Sequence, residues 1–233
     1  MTPSVSIVIR TSGMERLREI LASIESQNIS NCSINEIVLV NGNLSCPLDT
    51  DVFPASFEIV QLTMNQGPYR PGRALNEGMR LATGELVVFL SGHSVPLGPD
   101  WLRTLIAPFL EFEVAGVSGA QVPRHESNWI ESFYRRAWYN SARVARLFGH
   151  FNLANAAIRK RFWDMCPFNE ILEGCEDRHW RRTITICYGG RFVFSEEALV
   201  CHSHILSWAE SLSYFLWLWK IAMSSRFLAW CRR

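Results

Sequence analysis

Four things are missing from this chain, and each narrows what it can be. No two of its seven cysteines stand in a C-x-x-C spacing, which argues against a zinc knuckle and against a disulfide scaffold. Scattered and odd in number, they suit a reducing compartment. Neither charge sign dominates: 23 Lys+Arg face 22 Asp+Glu, so no nucleic-acid partner is expected and any anionic partner must be gripped locally. The phosphate loops G-x-x-x-x-G-K-[ST] and G-x-G-x-x-G do not occur, which removes the sites of ATPases and dinucleotide enzymes. Nor does any apolar run reach the roughly 20 residues that a membrane span needs.

Before Arg10 only about five consecutive residues are apolar or small, too few for the apolar region of a secretory signal. The chain is therefore expected in the cytoplasm. Its other end, "SLSYFLWLWKIAMSSRFLAWCRR", gathers Trp217, Trp219 and Trp230 beside Tyr214, Phe215 and Phe227, broken by Lys220 and Arg226. A helical tail over 206–233 has two uses open to it. It can lie in the headgroup layer on the inner face of a membrane, or it can dock on its own domain.

What is present reads as one α/β domain over 1–205, and with 48% apolar residues it can build a full core. The runs "SVSIVIR", "EIVLVN", "FEIVQL" and "ELVVFLS" are β-branched and short. Between them, "GMERLREILASIESQ" places Met14, Leu17, Ile20, Leu21 and Ile24 at helical spacing, and "PGRALNEGMRLATG" does the same with Ala74, Leu75, Met79 and Leu81. Parallel strands joined by crossover helices are the expectation. "DWLRTLIAPFLEF" reads as a helix capped by Asp100, and "VAGVSGAQV" as a strand. From Pro123 the texture becomes polar and aromatic and only weakly helical. Order returns with "FNLANAAIRKRFWDMCPFNE", the helix "CEDRHWRRTITICYGG" and the strand pair "RFVFSE" and "ALVCHSH".

Four polar stretches then stand at ends of elements: "IRTSG", "VNGN", "SGHSVP" and "EGCEDRHW". A pocket on an open α/β sheet is assembled from strand ends of this kind. Taken in order with "GRALNEGMRLATGELVVFLSGHSVPLGPDWLRTLIAPF", "FNLANAAIRKRFW", "EDRHWRRTI" and "ALVCHSH", they resemble the family 2 glycosyltransferases of the GT-A fold, through roughly residues 4 to 205. The resemblance implies a Rossmann-like, open, mostly parallel twisted sheet flanked by helices. It also implies a nucleotide-sugar-binding half over 1–122 and an acceptor-side half over 123–205. The implied reaction is inverting transfer of a hexosyl unit from a nucleoside-diphosphate sugar to a hydroxyl of a glycan or lipid-linked glycan.

Two departures stand out. Where many members carry Asp-x-Asp, this chain has Ser91-Gly92-His93, a pattern similar to that of a rhamnosyltransferase-like branch, so the sugar transferred could be rhamnosyl. The family's Pro-Thr-Tyr-Asn becomes Arg10-Thr11-Ser12-Gly13. The resemblance makes Asp177, paired with Glu176, the catalytic base, although a helix N-terminus favours acids in its first turn for structural reasons alone. It makes His93, His202 and His204 the ligands of a divalent metal, Mn or Mg, that would meet the charge developing on the departing diphosphate. A histidine satisfied in a turn is the plain alternative. Thr11, Asn41, Arg73, Asn76, Ser91 and His93 become donor-binding residues, with Arg70 a weaker candidate, since helix N-termini attract phosphate and Arg presents a planar fork to it. An Asn at 41 can donate and accept, so both uracil and thymine are open and the donor is expected to be UDP- or dTDP-linked. Asn152 and Asn155 match the acceptor-side turn, a place where Asn also serves as a plain backbone cap. Structural zinc at Cys201, His202 and His204 lacks a fourth ligand. A nucleotidyltransferase would need a Gly-rich, Lys-bearing loop that "IRTSGMER" does not supply. A GT-A module that kept the fold and only binds a nucleotide sugar or a partner is the alternative outside catalysis.

Overall fold

Strand β1 (Ser4–Thr11) is buried along both faces from Val5 to Ile9, as a central parallel strand must be when helices cover both sides of its sheet. Its alternation sorts two cores. Val5, Ile7 and Ile9 join one, and Val8 joins the other. The computed structural model describes residues 2–14, 16–42, 45, 48, 53–64, 70–138 and 151–203, with three single positions of the tail, 210, 213 and 216. The expected aromatic helix over 206–233 otherwise lies outside the described residues, as does His204. No helix among the described residues is long and apolar enough to cross a membrane.

Helix α1 (Leu17–Glu25) buries Leu17, Ile20, Leu21 and Ile24, the i, i+3, i+4, i+7 stripe of an amphipathic helix. Each of those side chains contributes roughly 1.5–3 kcal/mol, an upper bound for full burial. Strands β2 (Ser33–Asn41), β3 (Glu58–Thr63) and β4 (Leu86–Ser91) complete a parallel block around β1, with helix α2 (Pro71–Leu81) crossing from β3 to β4. Pro71 opens α2, where its missing N–H costs nothing.

Beyond β4 the sheet turns mixed, as a mostly parallel sheet allows. The short β5 (Ser94–Pro96) follows a turn, then helix α3 (Trp101–Ile106), strand β6 (Val114–Val122) and helix α4 (Trp129–Trp138). Strand β7 (Asn155–Arg159) then inserts between β4 and β6, antiparallel to both. Helices α5 (Lys160–Met165) and α6 (Glu176–Tyr188) lead to β8 (Arg191–His202), which runs parallel to β6 and antiparallel to β5. The sheet order is β3-β2-β1-β4-β7-β6-β8-β5. Since β7 is reversed between two strands of like direction, the ends of β1, β2, β4, β6 and β8 and the beginning of β7 share one rim.

Two local readings are revised. Asp100 precedes α3 but makes no side-chain cap bond; its carboxylate pairs with Arg103 and accepts from Asn28 instead. The expected strand pair near the end is one strand, β8, whose register against β6 slips between Gly119↔Ser195 and Gln121↔Val200. Asn155, fully buried, spans that slip. Its amide donates to the carbonyls of Ala120 (2.9 Å) and Ala198 (2.8 Å), and its Oδ1 accepts from the Trp101 indole at 3.0 Å. Gly119 allows the approach, because a Cβ there would meet the Ala198 carbonyl oxygen at 2.2 Å.

Candidate active site

The turn after β4 is tightly built. The Ser91 N–H donates to the Ala154 carbonyl at 3.3 Å, and Gly92 donates to the Arg10 carbonyl at 2.6 Å. Gly92 packs against β1 so closely that a Cβ would lie 2.8 Å from Thr11 Oγ1. That hydroxyl is occupied by its own turn, donating to the Gly13 carbonyl at 2.6 Å and accepting from the Gly13 N–H at 3.2 Å. Thr11 thus shapes the loop after β1. Beside it in register lies Asn41, the buried last residue of β2. The half-buried His93 follows in the turn, its N–H directed to Ser91 Oγ at 3.4 Å.

His202 ends β8 and pairs with Ser94 of β5, which brings its ring to 6.3 Å from that of His93, centroid to centroid, at an interplanar angle of 85°. Its Nδ1 lies 2.6 Å from Ser94 Oγ. When that nitrogen carries the proton and donates to Ser94, Nε2 keeps the lone pair a metal requires, the usual arrangement of a ligating histidine with its outer partner. Two imidazoles fit part of a ligand set, with diphosphate oxygens and water to supply the rest. No group of three or more His, Cys, Asp or Glu among the described residues is placed to hold an ion by itself.

Across the rim, α6 opens with Glu176 and Asp177. The turn before β7 joins them to the Ser91 turn through consecutive residues. The Leu153 N–H donates to the Asp177 carboxylate, and the next carbonyl, Ala154, accepts from Ser91. Asp177 Oδ1 also accepts from the Arg178 N–H at 2.7 Å. Burial lifts the Asp177 carboxyl above its usual range, against the charges of Arg178 and Arg10 and the two N–H donors. Burial also pushes Glu176 up to about 7, helped by the neighbouring Asp177 charge and opposed by Arg10 and by its own backbone N–H. Cys175, just before the pair, has φ 59°, the one left-handed non-glycine among the described residues. Such a conformation costs on the order of 1 kcal/mol and is held only where its surroundings demand it. Burial pushes its thiol up to about 11, so it stays neutral.

Of the expected donor residues, Asn76 belongs to the fold. It is buried, accepting at Oδ1 from the Trp163 indole (2.8 Å) and the Phe168 N–H (3.0 Å), and donating to the Phe168 carbonyl (2.9 Å) and Glu170 Oε1 (2.7 Å). Its four hydrogen-bonding positions are filled by protein, which leaves none for a donor. Asn155, expected on the acceptor side, is likewise a fold residue, clamping β8 as described. Asn152 folds back to accept from the Ala154 N–H at 2.8 Å and from Gln121 at 3.2 Å, so it shapes the turn that carries Leu153. Arg73 sits in the first turn of α2, and Arg70, just before it, forms an ion pair with Glu173 at 2.7 Å. Three contributors escaped the sequence reading: Arg10, the Leu153 N–H and the strained Cys175. For Arg10 there was a signal. The alternation of β1 puts it on the Val8 face, toward α2 and α6.

Imidazoles and hydroxyls at the carboxyl ends of the strands, with the two acids at the start of α6 beside them, stand where open α/β sheets hold their ligands. The chain belongs to glycosyl transferase family 2, whose model matches residues 4–202. Among curated proteins no sequence matches it. Among solved structures, the mannosyltransferase PcManGT from Pyrobaculum calidifontis, in complex with GDP-Man and Mn2+, is 20% identical with a TM-score of 0.62, over 87% of this chain and 57% of its own. S. aureus TarS 1-349 in complex with UDP-GlcNAc is 16% identical with a TM-score of 0.62, over 87% of this chain and 60% of its own. Glucosyl-3-phosphoglycerate synthase from Mycobacterium tuberculosis, in complex with Mn2+, UDP and phosphoglyceric acid, is 16% identical with a TM-score of 0.59, over 91% and 74%. At these identities the likeness is one of fold, and it bears out the GT-A architecture. The chain spans less than two thirds of the length of the first two of these.

Proposed function

We propose that this chain is an inverting glycosyltransferase that moves a hexosyl unit, such as rhamnosyl, from a UDP- or dTDP-linked donor to a hydroxyl of a glycan or lipid-linked glycan. One observation carries the reading. Leu153 and Ala154 tie Asp177 and the Ser91–His93 turn to a single short loop, so a carboxylate and the strand end that would face a diphosphate are held at a fixed separation. The nucleotide sugars and Mn2+ in the solved relatives support it.

On this reading the acceptor oxygen attacks the anomeric carbon as the bond to the diphosphate breaks, and Asp177 takes the hydroxyl proton. Two of its lone-pair directions are occupied by the N–H groups of Leu153 and Arg178, which aim it and leave others for the hydroxyl. A carboxyl lifted by burial is a better proton acceptor than one in water. Glu176 stays beside it as the second acid. His93, His202 and His204 would hold a divalent cation, which when bound supplies positive charge to the leaving diphosphate. Thr11, Asn41, Ser91 and Arg73 would line the donor, and Asn152 the acceptor side. A lipid-linked acceptor would be met at the cytoplasmic face of a membrane, with 206–233 as the proposed contact.

Asp177→Asn should lower transfer by about 10²–10⁴-fold while UDP or dTDP affinity, measured by calorimetry with Mn2+, changes little. Full activity in that variant would remove Asp177 as the base. Ser91-Gly92-His93 standing where many members carry Asp-x-Asp favours a second reading, a degenerate module that binds the donor without breaking it. Slow release of sugar from the donor, followed without acceptor, separates the two, since a binder leaves the donor intact.

A further inference from the structure

We propose that Arg10 is a positioning residue for Asp177: a fixed cation at the end of β1 that stands against the two acids opening α6, the buried Glu176 and the half-buried Asp177, and keeps the base available. The inference rests on Asp177 being the base.

The placement follows from register. Residues 8 and 10 of β1 point to the same face, and Val8 packs in the core built with α2 and α6, alongside Val38, Val40, Phe89 and Trp180. Arg10, one step further toward the rim, pairs with Val40 on one side and Ser91 on the other. It is half-buried, with its Nε out of reach of water. A guanidinium in that setting acts through a medium poorer in water than a surface charge would.

The other groups around the acids do not duplicate it. On α6 itself, Arg178 acts on Asp177, whereas Arg10 acts on both Glu176 and Asp177. The turn before β7 offers the Leu153 N–H. From α2 and the residue before it come Arg73 and Arg70, the latter engaged with Glu173. Strand β8 turns Phe192 to the helix, under the Arg181 guanidinium and against Trp180, and the end of α5 presents Cys166, whose carbonyl accepts from the Trp180 indole. Without Arg10, Glu176 would be set by burial and the Asp177 charge, and Asp177 would keep Arg178 and its two N–H donors but lose its second cation; both changes favour the protonated forms, and a protonated Asp177 cannot take a proton from the acceptor.

The test reads the acids without turnover. Carboxyl-¹³C NMR titration, assigned with Glu176→Gln and Asp177→Asn, is compared in wild type, Arg10→Gln and Arg10→Lys, alongside calorimetry of UDP with Mn2+. Arg10→Gln should move both carboxyl titrations upward by about one pH unit or more, Arg10→Lys should restore them to within about half a unit, and UDP affinity should be unchanged. If Arg10→Gln does not fold, Arg10→Met keeps the aliphatic stem and asks the same question. Unmoved titrations overturn the proposal. So does a loss of UDP affinity with the titrations in place, which would make Arg10 a donor ligand. Transfer retained by Asp177→Asn would instead remove the base while leaving the effect of Arg10 on the carboxyls standing.

Discussion

Glu176 lies almost fully inside the protein, and its carboxyl stands at about 7 against an ordinary 4.5. The folded state therefore holds a proton that the unfolded chain has already released over that interval. Stability attributable to this group falls as pH rises from about 4.5 to about 7, by about 3 kcal/mol in all, and is flat above. Asp177, also raised, adds a slope of the same sign. Glu176→Gln should be close to wild type in stability at pH 4.5 and more stable by up to about 3 kcal/mol at pH 8. Urea unfolding at the two pH values checks it, and a difference independent of pH would show that Glu176 ionises freely in the fold. The same scale shows why some residues were misjudged from sequence. Asn76 stands four residues after Gly72 and three before Met79, on the buried stripe of α2. Its helical phase, more than its polarity, was the informative sign.

At the scale of elements, the first four strands were legible because a parallel sheet buried on both faces writes itself as continuous β-branched runs with crossover helices between. Strand β7 was not, since "NAAIR" carries no mark of direction, and its reversal is decided by the strands on either side. The slip in β8 was read as a break between two strands, because the pair of exposed glutamates at 196 and 197 interrupts the pattern just where the strand bulges. Asn155 repairs that bulge from β7. Replacing it with Ala would leave the Trp101 indole N–H and the Ala120 and Ala198 carbonyls without their partner inside the core. Asn155→Ala should cost about 2–4 kcal/mol in denaturant unfolding. It should also weaken whatever depends on the end of β8, His202 included. A loss under about 0.5 kcal/mol would mean that the bulge holds without its clamp.

For the molecule as a whole, the proposed donor site on the rim would join the ends of β1, β2 and β4 to the start of α6, so occupying it should stabilise the entire domain. At a nucleotide concentration of 100 times Kd the gain is about 2.7 kcal/mol, which for a domain of this size raises Tm by roughly 5–10 °C. Thermal unfolding with UDP, dTDP and Mn2+ measures this. The Mn2+-dependent part should vanish in His93→Ala, and a shift that survives would place the metal elsewhere. The three-residue β5 has a consequence of a different kind. Among the described residues it is hydrogen-bonded in the sheet to β8 alone, and the Ser94–His202 contact closes a span of 108 positions. During synthesis, then, the parallel block around β1 can form while the His93 turn still lacks its partner on β8. On the proposed function, transfer should begin only once residue 202 has joined the fold, and a chain cut short before it should leave the donor unconsumed.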